Sequence, residues 1–214
     1  MLITIMRREK IDLEIKNFYF ENDDLPEEEK YLFLLLYAPG NTGKINERII
    51  GNTWLQKQMY LLRKIIPKIK LRFDEHHYGA FSPTLDVITK QNTVSELIKQ
   101  QNEGTGKLWL THEGLKIGEK LWNEIPKEEK ESMIEVKKFM NDMGLWELIA
   151  FSYSTFPETT ENSDVVEQFE DTRLDSACSL FYKGKISIEK AASIAGISLE
   201  EMITEAKKKK NFSV

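Results

Sequence analysis

The chain has 214 residues, 41% hydrophobic and 30% charged, enough to bury a full core as one large domain or two small ones. Its longest apolar run, Tyr31 to Ala38, is far shorter than a membrane span. Arg7, Arg8, Glu9 and Lys10 interrupt the start with no long apolar region after them, so a signal peptide is not expected. The single cysteine, Cys178, excludes an internal disulfide and fits a reducing, cytoplasmic setting.

A net charge of −5 argues against a protein that coats nucleic acid, but the average hides a polarity. Between Lys44 and Arg72 eight basic residues face one acidic residue, Glu47; between Asp142 and Asp175 nine acidic residues face Arg173 alone. Two readings follow: a local basic surface for phosphates, or two segments that neutralise each other in the fold or across a dimer.

In chain order, Ile11, Leu13 and Ile15 alternate with charged residues and predict a strand, with Leu2 to Met6 as its hairpin partner. Asp24, Pro26 and the run Glu27-Glu28-Glu29 predict a helix start. That helix is apolar nearly all round from Tyr31 and stops before Pro39-Gly40, so it is expected to be the most buried. A second helix runs from a Thr53 cap to Ile66 before Pro67, with Leu55, Met59, Leu62 and Ile66 on its inner stripe. Gln56, Lys57, Tyr60, Arg63 and Lys64 then fall on its other side. Leu71–Tyr78 reads as extended. Ser82-Pro83 opens a helix whose apolar positions run to Leu97 and Ile98, and Lys107–Leu110 is a short strand. Thr111 caps a helix carrying Leu115, Ile117, Leu121 and Trp122.

Past residue 126 the pattern is helical and acidic. The stripes are Met133, Val136, Phe139 and Met140, then Leu145, Trp146, Leu148, Ile149 and Tyr153. Near the end, a helix carrying Ala177, Leu180 and Phe181 closes at Gly184, and a capped helix from Ile186 turns at Gly196 into another from Leu199. The whole predicts a mainly helical α+β protein. Its parts are an N-terminal β arm (1–24), a winged-helix-like domain (25–125), an acidic helical connector (126–175) and a helix-turn-helix-like subdomain (176–214).

The run Gly51 to Leu62, followed by His77-Tyr78-Gly79-Ala80-Phe81-Ser82-Pro83, resembles the YwgA-like and SocA/Panacea-type antitoxin domains. Leu110-Thr111-His112-Glu113-Gly114 and Leu145-Trp146-Glu147-Leu148-Ile149 through Thr159 look like the same group, over about residues 28–163. Separately, Ser179 to Ala192 is similar to small archaeal and cyanobacterial antitoxin-like proteins with a helix-turn-helix, over about 174–206. The resemblances imply no catalytic residue. They imply a regulator or antitoxin that contacts DNA, a toxin, or both.

On this reading the expected function is a non-enzymatic, cytoplasmic antitoxin-like or transcriptional regulator. It binds double-stranded DNA through Gln56, Lys57, Tyr60, Arg63 and Lys64, the cations on phosphates and Gln56 on a base edge. A homodimer is expected, since such readers commonly meet two half-sites. The competing expectation is a module that holds a protein partner or toxin without DNA. The last helix suits that role, because Glu200 and Glu201 at its start repel phosphates while Lys207 and Lys208 lie at its far end. Asp74, Glu75, His76 and His77 alternate faces in an extended segment, too few on one side for a closed zinc site, so no metal or other cofactor is expected. No phosphate loop, nucleophile elbow or paired cysteine motif points to catalysis.

Overall fold

In a computed structural model of the chain, residues 25–74, 79–102, 106–157 and 166–211 are described. The expected β arm (1–24) and His76 and His77 lie outside these residues. Among the described residues nine helices accompany one two-stranded sheet, a mostly helical α+β chain. No described helix is long and apolar enough to cross a membrane.

The described residues divide into two compact units, one from those between 25 and 72 together with those between 82 and 141, the other from those between 73 and 81 with those between 142 and 211. The residues of the expected connector (126–175) are shared between the two units. Its first helix packs in the first unit, and its remainder belongs to the second.

In the first unit, α1 (Glu27–Tyr37) follows Pro26 and carries three glutamates in its first turn, where the helix dipole favours them. Every residue from Tyr31 to Tyr37 is buried, as its all-round apolar sequence predicts. Helix α2 (Asn52–Ile65) starts one residue before the expected cap, with Gly51 rather than Thr53 at the N-cap, and ends before Pro67. In α3 (Pro83–Val94) the Ser82 hydroxyl accepts from the Leu85 N–H at 3.3 Å.

The expectation that this third helix carries Leu97 and Ile98 is corrected. Thr89 and Thr93 donate back to the carbonyls four residues earlier, and Glu96 turns the chain with φ +57°. Ile98–Gln100 then forms β1, antiparallel to β2 (Leu108–Leu110), with Ile98 opposite Leu110 and Lys99 opposite Trp109. On the far side of β2, Ile49 adds a single antiparallel bridge to Leu108. Beyond that bridge the Asn46 amide extends the pairing, donating to the Leu110 carbonyl at 3.0 Å and accepting from its N–H at 2.8 Å.

Helix α4 (His112–Glu124) explains the Thr-x-x-Gly spacing. The Thr111 hydroxyl accepts from the Gly114 N–H at 3.1 Å and donates to the Leu97 carbonyl at 3.2 Å. A Cβ on Gly114 would lie 2.1 Å from that same carbonyl oxygen, so only glycine lets the helix start so close to β1. Helix α5 (Lys127–Asn141) packs on α2 and α1.

The second unit contains α6 (Leu145–Thr155), α7 (Val166–Tyr182), α8 (Ile188–Ala195) and α9 (Leu199–Asn211). The expected extended stretch Leu71–Tyr78 appears among the described residues only as a bridge between Asp74 and Phe81. Helix α7 packs on both α6 and α8, and Cys178 is buried on it, as the apolar stripe implies. The predicted close pair is present. Ser187 caps α8, Ala191 and Ala192 are buried, and Gly196 ends α8 with φ +70°. Ser198 and Glu201 then form a reciprocal cap at the start of α9, each side chain accepting from the other's backbone N–H.

Candidate functional site

The five residues expected to meet DNA all lie on α2, but they do not form an outward face. Gln56, Lys57 and Tyr60 are each only 3% exposed, Arg63 is half-buried, and of the five only Lys64 is exposed. Residues 55–60 are buried without a break, which at 100° per residue covers every side of the helix there. The separation into an apolar stripe and a solvent face holds only after Tyr60.

These side chains have structural work. The Gln56 amide clasps the backbone of Ser82, accepting from its N–H at 2.8 Å and donating to its carbonyl at 3.3 Å, which holds the α3 cap residue. Beside it the Gln58 amide donates to Asn141 Oδ1 at 3.0 Å. Burial pushes the Lys57 ammonium down to about 7. The Tyr60 ring lies 5.5 Å from the Arg63 guanidinium and 5.2 Å from the Lys64 ammonium. Arg63 also donates to the Leu71 carbonyl at 2.8 Å, tying down the segment after Pro67.

The set expected to meet a protein partner lies on α9, where Glu200, Glu201, Lys207 and Lys208 are all exposed. Glu201 serves the Ser198 cap, and Lys208 pairs with Glu205 at 2.6 Å. Asp74 is exposed in its bridge, and His112 is the first residue of α4, also exposed. Among the described residues no three His, Cys, Asp or Glu side chains gather as a metal would require.

Three features have no counterpart in the sequence pattern. The first is the ammonium of Lys137 on α5, fully buried, which donates to the carbonyls of Leu35, Leu36 and Ala38 at 3.0, 2.9 and 2.7 Å. It satisfies the end of α1, which has no basic residue in its own last turn. The second is the outer face of α3, where Val87 is 51% and Val94 81% exposed. Pro83, Thr84 and Gln91 are exposed on the same helix, and the charge of Lys90 is matched by Asp86 at 2.7 Å. The two valines lie seven residues apart among the apolar positions of the predicted helix, a pattern that does not mark them as solvent-facing.

The third is the outer face of the sheet, where the Arg48 guanidinium lies 4.3 Å from the Trp109 ring centroid. A groove of about 490 Å³ opens beside β1, lined by Thr93, Glu96, Lys99, Thr111, His112 and Glu113 among others. No family model matches the chain, and no curated protein matches it significantly.

Proposed function

We propose that this chain is an antitoxin-like regulator that acts by holding a protein partner on the outer face of α3. The observation that carries the reading is that face itself. Two valines two turns apart stand in solvent on a helix surface whose neighbouring charges cancel. Exposed apolar side chains on a neutral surface match the core of a protein interface better than a phosphate contact. The order α1–α2–α3–β1–β2–α4 supports reading the first unit as winged-helix-like, with α3 as the helix that such a fold presents. The resemblance to antitoxin domains supports the same role.

DNA contact through α2 is the weaker reading, because a buried Gln56 cannot reach a base edge and a buried Lys57 cannot reach a phosphate. The test is a photo-crosslinking residue at Val94, with Lys138 on α5 as the control site, in cells that express the full chain. One discrete adduct from Val94, absent from Lys138, is expected. Val87→Asp with Val94→Asp should weaken capture of that partner by at least ~30-fold, as removal of central apolar contacts does. Stability should stay within ~0.5 kcal/mol of the parent, because both positions are exposed. Identical adducts from both sites, or capture that survives the double substitution, refutes the reading.

A further inference from the structure

The outer face of the small sheet carries the cationic surface that α2 lacks. The register sets Lys99 of β1 directly opposite Trp109 of β2. On the other flank of β2, Arg48 stacks on the same indole, next to the Ile49 bridge to Leu108. Arg48, Trp109 and Lys99 therefore form one row across the face. Lys107, two residues before Trp109 and just ahead of β2, continues the strand register, its carbonyl accepting from the Gln101 N–H at 3.0 Å, which sets its side chain on the same face. This second row lies ~7 Å along the strand from the first. Arg48, Lys99, Lys107 and Gln101 are exposed, and Trp109 is half-buried. The opposite face is core, with Ile49, Ile98, Leu108 and Leu110 all buried.

Among the described residues, Arg48, Lys99 and Lys107 form no ion pair with a carboxylate. Glu47, next to Arg48 in the chain, accepts from the Asn41 N–H, the Thr42 N–H and hydroxyl, and the Asn141 amide. Those donors hold its carboxyl below the usual range, and they bind it into the 41–47 loop. Glu96 and Glu113 line the groove beside β1 together with Lys99, whereas Arg48 and Lys107 lie outside that lining.

We infer that this face, formed by Arg48, Trp109, Lys99 and Lys107, is a docking surface for the phosphate backbone of duplex nucleic acid. The occupant is chosen by charge and shape. The indole holds the Arg48 guanidinium as a flat fork, the form that meets a phosphate with paired hydrogen bonds. Phosphate contact needs only exposed donors on an open face, whereas peptide recognition needs side-chain pockets or a strand edge. The chain as a whole carries −5, so a polyanion is attracted only where cations cluster. The residues of this surface are not those of the α3 reading, Val87 and Val94, so substitutions test the two contacts independently.

The test is fluorescence anisotropy of a short labelled duplex of mixed sequence with the full chain. Three phosphate contacts give a salt slope of about −2.7, hence a ~40-fold loss of affinity between about 50 and 200 mM salt. Arg48→Ala with Lys99→Ala and Lys107→Ala should cost at least tenfold and flatten the slope. Lys99→Gln or Lys107→Gln alone should each reduce it by about 0.9. Lys64→Ala should leave both quantities unchanged. No binding at the lower salt overturns the inference. So does binding that Lys64→Ala abolishes and the triple substitution spares, or a poly-glutamate peptide that binds as tightly as the duplex.

Discussion

Replacing Lys137 with Met tests whether a buried lysine is the cap that holds the end of α1. The side chain is fully buried, and its three N–H groups each meet one carbonyl of residues 35, 36 or 38. Burial pushes the ammonium down to about 7, while the Glu47 charge and the three carbonyls favour the protonated form. A neutral amine has only two N–H groups and would leave one carbonyl bare. Methionine keeps the stem packing and removes every donor. Hydrogen bonds to a charged group contribute about 1.5–3 kcal/mol each, so three approach ~6 kcal/mol before the cost of desolvating the ion is subtracted. That cost is several kcal/mol, and breaking one side of a comparable buried charged cluster leaves a net loss of about 3 kcal/mol at the lower end. Urea unfolding followed by far-UV dichroism should show the midpoint of the first unit falling by ~1.5 M at a slope of ~2 kcal/mol/M. A variant within ~0.5 kcal/mol of the parent, or more stable, would mean that these carbonyls need no such donor.

Two further outcomes follow from buried contacts. Lys57 titrates near 7 in the folded chain against ~10.4 when unfolded, so across that window the unfolded state binds more protons and stability must climb with pH. Urea midpoints should therefore rise from neutral pH toward pH ~10, and Lys57→Met should remove about half of the rise, Lys137 supplying the remainder; an unchanged slope in the variant counts against a depressed Lys57. Gly114→Ala places a Cβ 2.1 Å from the Leu97 carbonyl oxygen, so α4 must move away from β1. The cost is ~3 kcal/mol, at the upper end for overpacking, and appears as a drop of about 6–12 °C in the melting temperature. A melt unchanged within about 2 °C would show that the helix start shifts without penalty.

Much of the framework was legible from local chemistry. Pro26 with three glutamates, Pro67, Ser82-Pro83, Thr111, Gly184 and Gly196 mark element ends through backbone sterics and capping, which act within a few residues. Buried α1 followed from apolar pattern alone. Short-range preferences thus set where helices begin and stop, and which one lies deepest.

What those helices show to solvent was settled by the packing of distant segments. The spacing of apolar residues ranks the faces of a helix but does not count its neighbours, so Gln56, Lys57 and Tyr60 read as a basic surface although each is enclosed. Leu97 and Ile98 read as a helix tail because their strand partner lies about ten residues further on, and pairing across that gap leaves no local signature. The cap of α1 by Lys137, some hundred residues away, and the row that joins Arg48, Trp109 and Lys99 arise from the same cause. Both depend on contacts between segments far apart in the chain, and such contacts are set by packing energy summed over the whole unit rather than by any residue's own preference.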